Sequence, residues 1–200
     1  MPIIQSDGMQ VRSPSKPQSM LTSSGEDISC SELLHRIQDD GTVVFAFRTP
    51  ADISELATFL AAICPSPDTT TVGLIELMAN AVEHGLLQIG HQTKLHLRRN
   101  LSLEDEIERR LSLPEYADLT AHIEVTCHQG QIFFRVSDPG LGFDWTPFEH
   151  FCHDRALDPS GRGIAIARSM GFTSVEYLGC GNQVLATVKL PPSENPNAAD

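Results

Sequence analysis

Lysine is scarce in this chain: only three of its 14 basic residues are lysines, and none of the three directly follows a glycine. That excludes a Walker A loop. Basic residues of both kinds are outnumbered by 26 acidic ones, for a net charge of −12 and a pI near 5.0. So acidic a surface repels phosphate backbones and anionic lipid, and neither direct nucleic-acid binding nor membrane binding is expected. Paired cysteines are missing too. Cys30, Cys64, Cys127, Cys152 and Cys180 are odd in number, widely spaced and without a C-x-x-C pair, which argues against a disulfide framework or a structural zinc site. No apolar run is long enough to span a bilayer, and no basic start precedes an apolar signal region. The chain is therefore expected to be cytoplasmic, with reduced thiols.

What is present fits one globular domain: 200 residues, 40% hydrophobic and 20% charged. Residues 1–27 are rich in Ser, Pro, Gln and Gly without periodicity and read as a flexible tail, as do residues 191–200. Residues 28–190 form the domain. Its first helix is expected over Ile28–Gln38, a strand over Thr42–Phe47, and a helix over Asp52–Ile63 from the i, i+3, i+4 spacing of Ile53, Leu56, Phe59, Leu60 and Ile63. Asp68 is a plausible N-cap for a longer helix reaching His84 and closed by Gly85. A polar connector and a charged stretch follow, in which Leu103, Ile107 and Leu111 mark one helix face. Ala121–Cys127 and Gln131–Val136 read as one β-hairpin, and Thr173–Leu178 and Gln183–Leu190 as a second, with a helix over Gly163–Met170 between them. This order predicts an α+β fold with helices on one sheet face.

Three segments carry chemistry. On the Asp68–Gly85 helix, Leu74, Ile75, Leu77, Met78, Ala79, Ala81 and Val82 form the core-facing arc. The remaining stripe holds Glu76, Asn80, Glu83 and His84 with Gly73 beside them, and Asn and Gly are poor choices for helix stability alone. The second segment is Val136–Phe143, VSDPGLGF, in which Asp138 ends a strand and Gly140 and Gly142 let a ligand approach the main chain. In the third, Ser160-Gly161-Arg162-Gly163 opens a helix whose free N–H groups suit a phosphate. The glycine pairs lack the third glycine or alanine of a Rossmann fingerprint, and the eukaryotic-type kinase motifs are absent.

Taken in order, ELMANAVEHG, DPGLGF and GRGIAIARSMGF resemble the N, G1 and G2 boxes of the GHKL (Bergerat-fold) ATPases. Within that superfamily the pattern is similar to the bacterial anti-sigma-factor serine/threonine kinases of partner-switching systems, over about residues 42–190. The resemblance implies a two-layer α/β sandwich of the histidine-kinase-like ATPase type, with a mixed, mostly antiparallel sheet. It implies ATP and Mg²⁺ as cofactors. By the same resemblance Glu76 is the general base, Asn80 the Mg²⁺ ligand, and His84 the N-box histidine that follows it. Asp138 would read the adenine amino group, Gly140 and Gly142 would make room for the base, and Gly161, Arg162 and Gly163 would hold the phosphates. Thr187 would lie on the late strand closing the adenine pocket. The implied partners are an antagonist protein with a phosphorylatable Ser or Thr, a sigma factor or other regulator, and a second copy in a homodimer.

Compact members of the family pass from the N-box helix to the next strand by a short link. Here 35 residues, Leu86–Thr120, are inserted. The insertion is similar to that of anti-sigma-like modules carrying an E-E-I-E-R-R-L-like segment, here Asp105–Leu111, and it is expected to form a partner or dimer surface away from the nucleotide. Glu106, Glu108, Arg109 and Arg110 are expected on a solvated helix face. Arg155 and Arg162 could reach a γ-phosphate, and His150, Cys152 and His153 lack an evident fourth metal ligand. Two other functions fit the same motifs. One is an ATP-dependent sequestering module without transfer. The other is the ATPase domain of a histidine-kinase-like phosphorelay, although the chain has no helical hairpin to carry the phosphoacceptor and His35 sits on too short a helix.

Overall fold

A computed structural model describes residues 19–39, 41–99, 102–143 and 170–192. Local signals place most of the elements. Strand β1 (Ser19–Leu21) pairs with β2 (Asp27–Ser29), which leads into helix α1 (Cys30–Gln38). Ser29 caps α1 in a reciprocal box with Glu32, satisfying two N-terminal amides. Strand β3 (Val43–Phe47) buries alternate residues, and α2 (Pro50–Ala61) follows at once. Thr49 and Asp52 form the same reciprocal cap, so Pro50 opens this helix as its first residue instead of merely ending the strand. Helix α3 (Pro67–Asn80) continues into a wider π-type turn, Ala81–Leu86.

The insertion contributes α4 (His91–Arg99), α5 (Leu103–Leu111) and a 3₁₀ turn at Pro114–Tyr116. Strands β4 (Ala121–His128) and β5 (Gln131–Ser137) are joined by Gln129-Gly130, both at positive φ, the twist a two-residue hairpin requires. Strands β6 (Ser174–Leu178) and β7 (Gln183–Lys189) close the described fold.

The α+β expectation holds. The main sheet runs β3-β4-β5-β7-β6 and every described pairing is antiparallel, which corrects the expected mixed sheet. Val43, Phe45 and Phe47 of β3, Ile123 and Val125 of β4, and Phe134 and Val136 of β5 bury the same face. Leu56, Phe59 and Leu60 of α2 and Leu74, Leu77 and Met78 of α3 join them in one core. Phe45 meets Phe59 edge to face at 5.9 Å, and each such fully buried ring contributes about 1.5–3 kcal/mol.

Four other expectations need correction. The N-terminal tail does not extend to residue 27, because Ser19–Leu21 and Asp27–Ser29 pair and Ser23 N–H bonds to the Val44 carbonyl at 2.7 Å. Ser66, not Asp68, precedes the first turn of α3. Gly85 does not close that helix with a left-handed residue; the chain stays helical, with Leu87 N–H reaching back five residues to the Val82 carbonyl. The polar connector is itself helix α4, hidden in the sequence because its buried position is a lysine, Lys94.

Candidate functional site

Two segments about 50 residues apart in the chain meet at one cavity. Helix α3 and its π-type extension supply Leu77, Asn80, Ala81, His84 and Gly85, and the end of β5 supplies Val136 and Asp138. Between them lies a cavity of about 390 Å³, within the range of small-molecule sites. Its polar side chains are Asn80, His84 and Gln88 from the α3 extension and the residues after it, and Asp138, Asn182 and Gln183 from the strands and their turn, with Ile89, Tyr177 and Val184 among the other walls. The Nδ1 atom of His84 is within hydrogen-bond reach of the Ile89 carbonyl.

Asp138 is held from three directions. Its N–H donates to the Asn182 carbonyl at 3.1 Å, its own carbonyl accepts from Asn182 Nδ2 at 3.2 Å, and its Oδ1 accepts from Gly140 N–H at 2.9 Å. Burial raises its pKa above the ordinary aspartate value, and the Gly140 N–H partly opposes that rise. The neighbouring loop is fixed to the β6–β7 turn. Gly142 lies at φ +77° so close to Cys180 that a Cβ would stand 2.1 Å from its carbonyl oxygen, and Phe143 N–H donates to that same oxygen at 2.9 Å. Phe143 then meets Tyr177 edge to face at 5.3 Å.

The sequence-derived candidates separate into groups. Asn80, His84, Asp138 and Gly142 line the cavity. Gly140 stands behind it, supporting Asp138 and contacting Gly85 closely enough that a Cβ would lie 2.8 Å from the Gly85 Cα. Glu76 is half-buried one helical turn before Asn80, beside the lining rather than in it. Thr187 is buried but is not among the lining residues; it lies three residues from the lining Val184 on a strand, hence on the opposite sheet face. Gly161, Arg162 and Gly163, together with His150, Cys152, His153 and Arg155, lie outside the described residues.

Gly73 also proves to have a packing role. A Cβ there would be 2.4 Å from the Phe172 ring and 2.8 Å from the Met170 carbonyl, so the glycine admits the chain entering β6 rather than a ligand.

The insertion reaches the cavity. Gln88, Ile89 and Gly90 line it, against the expectation of a surface remote from the site. Arg110 does not lie on a solvated face; its guanidinium donates to the Leu87 carbonyl at 2.5 Å while also bonding Glu106. Sequence reasoning missed Asn182, Tyr177 and Gln88–Gly90. Asn182, in the glycine-flanked turn between two strands, was the one with a local signal.

No family model and no curated protein matches the chain. The donor set is therefore the guide to chemistry. Among the described residues no group of three or more His, Cys, Asp or Glu could hold a metal by itself. Asn80 contributes one side-chain amide to the cavity lining. Nor, among the described residues, is any helix long and apolar enough to cross a membrane.

Proposed function

We propose that the domain is a Bergerat-type ATP-binding module acting as an anti-sigma-like serine/threonine kinase on an antagonist protein in a bacterial partner-switching system. One observation supports this most: the N-box-like Asn80, His84 and Gly85 and the G1-like Asp138 and Gly142 converge on one cavity from separate elements. A carboxylate fixed by Asn182 and Gly140 amid apolar walls is suited to accept from an adenine amino group, and the apolar walls suit the ring. Asn80 would hold Mg²⁺, which would supply charge neutralisation at the phosphates.

The chain's own residues then have separable tasks. Asp138 orients the base, the Gly142 loop leaves room for it, and Asn80 sets the end where the phosphates lie. Glu76 would take the proton of the Ser or Thr hydroxyl as its oxygen bonds the γ-phosphorus and the β–γ bridging P–O bond breaks, with ADP as the leaving group. A phosphorylated antagonist gains about −1.5 to −2 charges, and a kinase of net charge −12 repels it, which releases the kinase to its other partner, a sigma factor or regulator.

Because Glu76 stands beside the cavity lining, an ATP-dependent sequestering module without transfer is the second reading. Calorimetry with ATP and Mg²⁺ tests the shared binding claim, and its absence in folded protein rejects both readings. Labelled ATP mixed with candidate antagonist proteins separates them: transfer to a Ser or Thr supports the kinase, and binding without transfer supports the sequestering module.

A further inference from the structure

The π-type turn that presents His84 and Gly85 to the cavity is anchored from outside by the insertion. Glu83, within that turn, forms an ion pair with Lys94 of α4, and both side chains are nine-tenths buried, at 8% and 5% exposure. The Glu83 carbonyl accepts from Ile89 N–H at 2.7 Å, so the same residue is tied to the cavity wall through its backbone and to α4 through its carboxylate. One position earlier than Gln88, the Leu87 carbonyl is taken by Arg110 of α5. Arg110 is itself oriented by Glu106, which also holds Arg109.

A solvated insertion has no need of a buried lysine. Burying an ammonium and a carboxylate together has a large desolvation cost that their attraction only partly offsets, so such a pair is a poor route to stability, and its geometric effect is the more informative property. Here the two cations reach the two ends of the segment from Glu83 to Leu87, and the next three residues form the cavity wall.

We propose that Lys94 and Arg110 are positioning residues for the nucleotide site. They hold the Glu83–Gly90 segment so that His84, Gly85 and the Gln88–Gly90 wall keep one geometry against Asp138. This rests on the nucleotide reading above, and it makes the insertion a working part of the site rather than an appended surface.

The test uses the full chain and three variants, Lys94→Met, Arg110→Ala and the double variant Glu83→Gln/Lys94→Met, with Ile37→Ala in the distant α1 core as a control for general destabilisation. The readouts are ATP affinity with Mg²⁺, thermal midpoint, and amide exchange at Leu87 and Ile89 in the absence of nucleotide. Lys94→Met and Arg110→Ala should each weaken ATP about tenfold and speed exchange at Leu87 and Ile89, while Ile37→Ala lowers the midpoint with affinity kept within about twofold. The double variant removes the unpaired buried charge, so it should regain thermal midpoint over Lys94→Met without regaining affinity. Wild-type affinity in Lys94→Met and Arg110→Ala, or a double variant that regains affinity and midpoint together, would overturn the proposal. If the wild-type chain binds no ATP, the nucleotide reading falls first; faster exchange at Leu87 and Ile89 would then still support the anchoring, and unchanged exchange would reject it.

Discussion

Gly85 and Asp138 occupy space that only a glycine can share with a carboxylate: a Cβ on residue 85 would stand 2.1 Å from both Cγ and Oδ1 of Asp138. The glycine is in a helical turn and needs no left-handed φ. Its role is close approach, bringing the α3 extension against the end of β5 at the point where the cavity forms.

Gly85→Ala should therefore act through Asp138. The methyl group must push the carboxylate or the turn aside, and strain of that kind costs about 1–3 kcal/mol. ATP affinity should fall at least about tenfold, with a lower thermal midpoint. Unchanged affinity by calorimetry would show that the Asp138 position is unimportant to binding.

Asp138→Asn should trade binding for stability. Burial raises the folded pKa of Asp138 above its unfolded value, so its favourable contribution is complete below the unfolded pKa and is lost as pH rises through the folded pKa. The wild-type chain and Asp138→Asn should have similar thermal midpoints at about pH 3, below the ordinary aspartate pKa. The variant should gain relative stability toward neutral pH, because it no longer buries a charge. It should also bind ATP more weakly while keeping its affinity for inorganic triphosphate. A variant less stable than wild type at neutral pH contradicts the desolvation argument.

Glu106 has the opposite sign. Hydrogen bonds from Arg109 and then Arg110 hold its carboxyl down to about 2. A depressed carboxyl contributes stability above its unfolded pKa, and the contribution disappears as pH falls through the folded value. Carbon-detected NMR should place its midpoint near 2. Glu106→Gln should lower the thermal midpoint at neutral pH and lose that effect in strong acid. An ordinary midpoint above 4 would mean that α5 does not hold Arg110 as described.

Glu76→Gln and Asn80→Ala should separate transfer from binding. Loss of a positioned general base lowers transfer by about two to four powers of ten with nucleotide affinity kept. Asn80→Ala should lose Mg²⁺-dependent binding instead. Transfer at the wild-type rate in Glu76→Gln would place the base on another residue.

Much of this was legible in the amino-acid order because its causes are local. The strands β3, β4 and β5 and the Gln129-Gly130 turn carry their signals within a few residues of the structure they specify, whereas the capping pairs Ser29/Glu32 and Thr49/Asp52, equally local, emerge only with the helices they cap. The Leu103–Leu111 helix was likewise present in its four-residue apolar spacing. Asn80 and Gly142 stood out as residues that helix stability or an ordinary turn would not select, while the roles of His84 and Asp138 came from the resemblance of their segments to the N and G1 boxes.

Tertiary structure alone decided what those residues face. In sequence Gly73 reads as an unusual residue within a helix and Gly85 as the end of one, yet both are sites of close approach: one admits Phe172 and the other admits Asp138. A period-two strand places Thr187 on a face, but only the pairing of β7 between β5 and β6 shows that this face is turned from the cavity. Arg110 reads as solvent-facing because charge normally seeks water, and its withdrawal from solvent, like the burial of Lys94 and Glu83, follows from partners supplied by other elements. Helical and strand periodicity report which way a side chain points from its own axis; what occupies that space is set by residues tens of positions away.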